Sequence, residues 1–125
     1  MQIRPFEKKD HYTVCKWWKQ HDWQGLSLNM LPPTGYIVDD VCAGWLYKTD
    51  GGWALLEWII SNPESDKDKR DEALDRLISK LIEEADNAGV KAIFTSSNHP
   101  KLVERYGKHN FKITDTNVTH MVRTK

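Results

Sequence analysis

Two residues stand out for the chemistry they could do. Glu57 is the single carboxylate in WALLEWIIS (Trp53–Ser61), a run otherwise apolar on both faces, and Tyr106 sits near the end of a helix in ERYGKHNFKI (Glu104–Ile113). Regular alternation places Glu57 on one face with Leu55 and Ile59. Partial desolvation there raises a carboxylate's pKa toward neutrality and makes it a usable base. The plainer alternative is a strand carboxylate that reaches solvent or pairs with a lysine. Tyr106 precedes Gly107, and Phe111 opens the next element. Either the two rings form a packing corner at a sheet edge, or the phenol is aimed into a cleft. A phenol ionises near pH ~10, so at neutral pH it is a proton donor.

Patterning gives the elements that must hold these groups. Gln2 to Phe6 reads as a short strand, and Asp10 as the N-cap of a helix carrying Val14, Trp17 and Trp18 at i, i+3 and i+4. That helix fades near Gly25. LSLNMLPPTG is a loop barred from regular structure by Pro32 and Pro33, and its length marks it as a functional candidate. GYIVDD and VCAGWLYKT are antiparallel partners turned at Asp39-Asp40. Thr49-Asp50-Gly51-Gly52 then turns the chain into WALLEWIIS, a strand suited to the centre of a covered sheet. Leu74, Leu77, Ile78, Leu81, Ile82 and Ala85 form one helical stripe, with Gly89 at its left-handed C-cap. VKAIFTSS is the next strand. Asn98 or His99 caps a short helix that has Pro100 in its first turn and ends at Gly107. The tail offers two strands, Phe111 to Asp115 and Val118 to Arg123. The fold class is therefore α+β: one domain over residues 1–125, whose antiparallel meander feeds a single β-α-β crossover between flanking helices.

Composition excludes several function classes. Hydrophobic residues make up 39% and charged ones 29%, as in an ordinary globule, and 18 basic residues balance 18 acidic ones. That balance argues against a nucleic-acid binder driven by phosphate contacts. Six tryptophans serve as core filler or as walls of an apolar groove. Cys15 and Cys42 fall in different elements without a disulfide framework and read as reduced thiols. The histidines lack metal-ligand spacing, so no metal is expected. MQIRPFEKKD carries no apolar leader and no segment is long enough to span a bilayer, which makes the cytoplasm the expected compartment. No nucleophile elbow, Walker loop or zinc pair is present.

The element order resembles the GNAT superfamily of N-acetyltransferases over nearly the whole chain. Ile59-Ile60-Ser61-Asn62-Pro63-Glu64 is similar to the family's apolar–x–x–Pro–Glu lead-in. ERYGKHNF is similar to its Tyr-x-Lys-x-Gly-Phe signature, with Tyr106, Lys108 and Phe111 matching and Asn110 in place of the glycine. The resemblance implies acetyl-CoA as co-substrate, with its pantetheine arm on exposed main chain at Ile59, Ile60 and Ser61. It also implies Tyr106 as general acid to the CoA thiolate, and Glu57 becomes the candidate base for an amine acceptor. Asn98 is a candidate for holding the CoA arm, although its spacing to Tyr106 is eight residues rather than seven, and N-capping is the alternative. One departure is plain. Where the family uses a glycine-rich pyrophosphate loop, this chain has Asp66-Lys67-Asp68-Lys69-Arg70-Asp71. Lys67, Lys69 and Arg70 are then either direct phosphate ligands or part of a solvated helix N-terminus capped by aspartates. The acceptor is left open among a small amine, an aminoacyl group, and a protein lysine or N-terminus, and a dimer is as compatible with the sequence as a monomer. A second reading is a non-catalytic module of this fold that binds a protein or other ligand.

Overall fold

Two turns build the meander. In the computed structural model, which describes residues 1–125, Asp39 takes a left-handed φ of 45° and the Val41 N–H donates to the Val38 carbonyl at 3.0 Å. This turn joins β2 (Gly35–Val38) to β3 (Cys42–Lys48). The Thr49–Gly52 turn joins β3 to β4 (Trp53–Ser61). There Thr49 Oγ1 donates to the Trp53 carbonyl at 2.7 Å and accepts from the Gly51 N–H. With β1 (Ile3–Pro5) and β5 (Ala92–Phe94) the sheet has the order β1-β2-β3-β4-β5, antiparallel throughout except for the parallel β4–β5 pair.

Three helices cover the sheet: α1 (His11–Gln20) on one face, α2 (Lys67–Asn87) and α3 (Pro100–Lys108) on the other. The stripe of α2 buries Leu77, Ile78, Leu81 and Ala85 against Leu46, Leu56 and Ile59. On the α1 face, Val14, Trp17 and Trp18 pack on Ile37, Trp45 and Ile60. Two ion pairs and a hydrogen bond fix α3 beside α2: Arg105 meets Asp71 at 2.8 Å and Asp75 at 3.0 Å, and the His109 ring bonds Asp75 at 3.1 Å.

β4 is not regular. Ala43 pairs with Ile60, yet Trp45, two residues on, pairs with Glu57, three residues back, so β4 carries one extra residue. Trp58 absorbs it with φ +63°, a conformation that costs a bulky side chain energy. Gly44 faces this bulge. A Cβ there would stand 2.9 Å from Ile59 Cγ1 and 3.2 Å from Leu77 Cδ2, so only glycine lets α2 approach the sheet this closely.

Several sequence expectations need correcting. Asp10 occupies the N-cap position but does not cap α1 with its side chain. It is buried at 6% exposure and holds the Arg4 guanidinium through two 2.8 Å bonds, while also accepting from the Glu7 N–H. This pairing holds the Asp10 carboxyl below its usual pKa. Its stabilisation is therefore present above about pH 3.9 and is lost as pH falls through the lower folded value. Asp10→Ala is expected to cost about 2 kcal/mol at pH 7, a figure moderated because Arg4 remains a third exposed, and the cost should shrink in urea melts at acid pH.

Helix α3 runs past Gly107 to Lys108, and the left-handed residue is Asn110, with φ 70°. Asparagine tolerates that conformation best among the non-glycine residues, which accounts for its place in the signature. Neither Asn98 nor His99 caps α3 through its side chain; Ser97 Oγ instead accepts the His99 N–H at 3.0 Å. The tail does not form its two strands, and after Phe111 no backbone hydrogen bond is made. β5 ends at Phe94, so it offers only three residues of edge, too little to template a hairpin that is marginal by itself.

Candidate active site

A gap opens in the sheet where the two parallel strands part. β4 and β5 pair only at Trp53–Ala92, Ala54–Ile93 and Leu55–Phe94. Beyond Leu55 the strand pairing stops, and side chains rather than strand bonds span the opening. Thr95 Oγ1 donates to the Leu56 carbonyl at 2.6 Å, and Ser96 Oγ donates to Glu57 Oε1 at 3.2 Å. From Glu57 to Ser61 the main chain of β4 has no strand partner on this side. The side chains of Ile59 and Ile60 are buried on opposite faces, so this stretch presents backbone groups to the gap. The Ser61 carbonyl is already taken by the His21 ring, 3.0 Å away.

Glu57 lies half-buried at this opening. It pairs with Trp45 and so shares the α1 face with it, whereas Ile59 lies on the α2 face. The bulge therefore breaks the alternation that grouped Glu57 with Ile59. Burial pushes the Glu57 carboxyl above its usual pKa, against the opposing effects of its Ser96 hydrogen bonds and of His120 in the tail.

Tyr106 comes from the other face. It is 5% exposed, packs in the α2-side core, and its ring centroid lies 5.0 Å from that of Phe111. Burial raises the phenol's pKa well above its ordinary value, with a hydrogen bond to Thr95 opposing and the charge of Glu57 adding to the rise. The ring is thus a packing corner on the α2 side of the gap. Thr95, Ser96, Tyr47 and His120 were not picked out by sequence reasoning. The polar Thr95-Ser96-Ser97 run closing VKAIFTSS was the available signal for the first two.

At the N-terminus of α2, Asp66 caps the helix by accepting the Lys69 N–H at 3.2 Å. Lys67 pairs with Asp71 at 3.0 Å, and the Arg70 guanidinium donates to the Ser65 carbonyl at 3.0 Å. Lys69 extends beside an open depression of about 480 Å³ whose wall includes Asp39, Asp40, Glu64 and Asp66. A pyrophosphate would meet lysine and arginine side chains here, among carboxylates, rather than a backbone cradle. Asn98 is exposed on the loop before α3. No group of three or more histidine, cysteine, aspartate or glutamate side chains is placed to hold a metal, and no helix is long and apolar enough to cross a membrane.

Neither a protein-family model nor a curated protein matches the sequence. Solved structures do match the fold. A Thermus thermophilus protein, TTHA1254, superposes with a TM-score of 0.74 at 16% identity, covering 100% of this chain and 99% of that one. Rv2747 from Mycobacterium tuberculosis, in complex with CoA, gives 0.76 at 13% identity over 95% of this chain and 76% of that one. The ribosomal-protein-S18-alanine N-acetyltransferase of Escherichia coli gives 0.71 at 16% identity over 91% and 79%. The chain has the GNAT fold. At such identities the likeness extends to the fold alone. Within the GNAT fold, the expected meander and crossover are both in place.

Proposed function

We propose that this chain is an acetyl-CoA-dependent N-acetyltransferase that passes the acetyl group to an amine by direct attack. The observation that carries the reading is the gap itself. A carboxylate and a phenol arrive from opposite faces where β4 leaves its main chain unpaired. Bound there, acetyl-CoA would supply an activated thioester, held by the backbone of Ile59, Ile60 and Ser61, with Asn98 along its arm. Glu57, its pKa raised by burial, takes the proton from the acceptor ammonium, directly or through water. Tyr106, its pKa raised by burial, keeps its proton at neutral pH and is the group we assign to protonate a departing thiolate. These roles use no metal. Acceptors that fit this chemistry are a small amine or a protein amine, and the two free thiols, Cys15 and Cys42, suit a reducing compartment such as the cytoplasm.

Lys67, Lys69 and Arg70 are assigned to the phosphates, since acetyl-CoA would meet no glycine loop. Lys69→Ala combined with Arg70→Ala is expected to weaken CoA binding by roughly tenfold and to flatten its dependence on salt. Titration calorimetry at two ionic strengths checks this, and unchanged affinity would return both residues to the solvated helix terminus.

The carboxylates around Lys69 favour one competing reading, a non-catalytic module of the same fold that binds a protein or other ligand. A thermal shift separates the two. Acetyl-CoA at ~100 times its dissociation constant adds about 2.7 kcal/mol, a shift of several degrees in a domain of this size. The enzyme reading also requires free thiol to appear when an amine is added. No shift with acetyl-CoA would favour the binding module.

A further inference from the structure

The bulge in β4 sets two consecutive side chains on one face. Glu57 shares the α1 face with its partner Trp45. Trp58 would point to the opposite face in a regular strand. Its indole instead meets Trp18 of α1 edge-on, with ring centroids 6.1 Å apart and planes at 81°. Trp18 in turn lies 5.9 Å from Trp45, so Glu57 and Trp58 emerge side by side. Trp58 stays 37% exposed there, in a left-handed conformation that asparagine or glycine would adopt at lower cost. An indole that could be buried is held at the surface beside a half-buried carboxylate.

Tyr47 completes the setting. It stands two residues along β3 from Trp45, on the same face, and its hydroxyl donates to the Met30 carbonyl of the long loop at 3.3 Å. Glu57 is close enough to Tyr47 to add to the rise in its pKa, which burial drives to about 12. The basic group within reach of Glu57 is His120, and none of the chain's ion pairs brings a lysine or arginine to this carboxylate.

We infer that Trp58, Tyr47 and Glu57 form the acceptor subsite, and that it selects a cationic amine lacking a carboxylate of its own. The inference rests on the acetyltransferase reading above. An ammonium is held between a carboxylate and aromatic faces by charge and by the ring quadrupole. The same surroundings reject an amino acid, whose carboxylate would face Glu57 without a guanidinium or ammonium to pair it. Trp58 is a specificity-determining residue, and the strained bulge is what aims it.

The experiment measures steady-state transfer from acetyl-CoA to butylamine, cadaverine and glutamate, with acetyl-CoA affinity measured separately. Wild type should acetylate butylamine and cadaverine with a kcat/KM at least 10-fold above that for glutamate. Trp58→Asn removes the ring, yet suits the left-handed backbone and should fold. It should raise the KM for both amines by roughly 5- to 30-fold, with acetyl-CoA affinity within about 2-fold. Trp58→Phe keeps an aromatic face and should recover most of the loss. Equal use of glutamate, or an unchanged amine KM in Trp58→Asn, would overturn the subsite while leaving the acetyltransferase reading intact. Bound acetyl-CoA with no transfer to any of the three amines would overturn the subsite. Failure to bind acetyl-CoA would overturn the acetyltransferase reading and the subsite with it.

Discussion

Glu57→Gln is expected to lower kcat by about 10²-fold or more while acetyl-CoA affinity stays within about 2-fold. The substitution keeps the shape of the side chain and its capacity to accept from Ser96, 3.2 Å away in the parent, and removes only the basicity. The pH profile should change as well. Burial raises the Glu57 pKa, so the parent's kcat/KM should rise with pH through that raised value, and the variant should lose this limb. Stability should move the other way. A carboxylate whose folded pKa lies above the unfolded value stabilises the fold below the unfolded pKa, about 4.3, and loses that contribution as pH rises through the folded value. Glutamine carries no such penalty. The variant should therefore match the parent in melts near pH 4 and exceed it at pH 7–8. Equal turnover in the two proteins from pH 6 to 9 would remove Glu57 from the mechanism.

Tyr106→Phe separates the ring from the hydroxyl. The ring packs against Phe111 in the α2-side core and is retained, so stability should change by no more than about 1 kcal/mol. Turnover should fall by roughly 10²-fold, the scale of a lost general acid. Phe111→Ala should do the reverse. It should cost about 2–3 kcal/mol, below the range for a fully buried phenylalanine because Phe111 is only partly buried, and leave activity per folded molecule near the parent's. Normal turnover in Tyr106→Phe would leave the tyrosine a packing corner alone.

The sequence made the meander legible because its turns carry their own chemistry. Asp39-Asp40 and Asp50-Gly51-Gly52 sit between strand-patterned runs, and both turns formed where expected. The α2 stripe and the left-handed Gly89 were legible for the same reason, with φ +77° observed. Glu57 stood out as the one carboxylate of an apolar strand and lies half-buried at the gap, whereas Tyr106 is buried in the α2-side core.

What escaped the sequence depends on contacts between distant segments. The bulge at Trp58 answers to Gly44 on the neighbouring strand and to Leu77 and Leu81 above it, so strict alternation put Ile59 on the wrong face. A glycine inside VCAGWLYKT was its only local trace. Asp10 reads as a cap until Arg4 is seen to claim both its oxygens. The tail has strand-like composition, yet Ile113 is 72% exposed and Met121 90%, because β5 gives it no edge to join.

If acetyl-CoA occupies the gap along β4 as proposed, a titration of the ¹⁵N-labelled protein with it, read amide by amide, will locate it there. The largest shifts are expected at Glu57 to Ser61 and at Thr95 and Ser96, where the unpaired main chain and the bridging hydroxyls lie, with smaller ones at Lys67 to Arg70. Saturable binding that leaves Glu57 to Ser61 and Thr95 unmoved would contradict that placement.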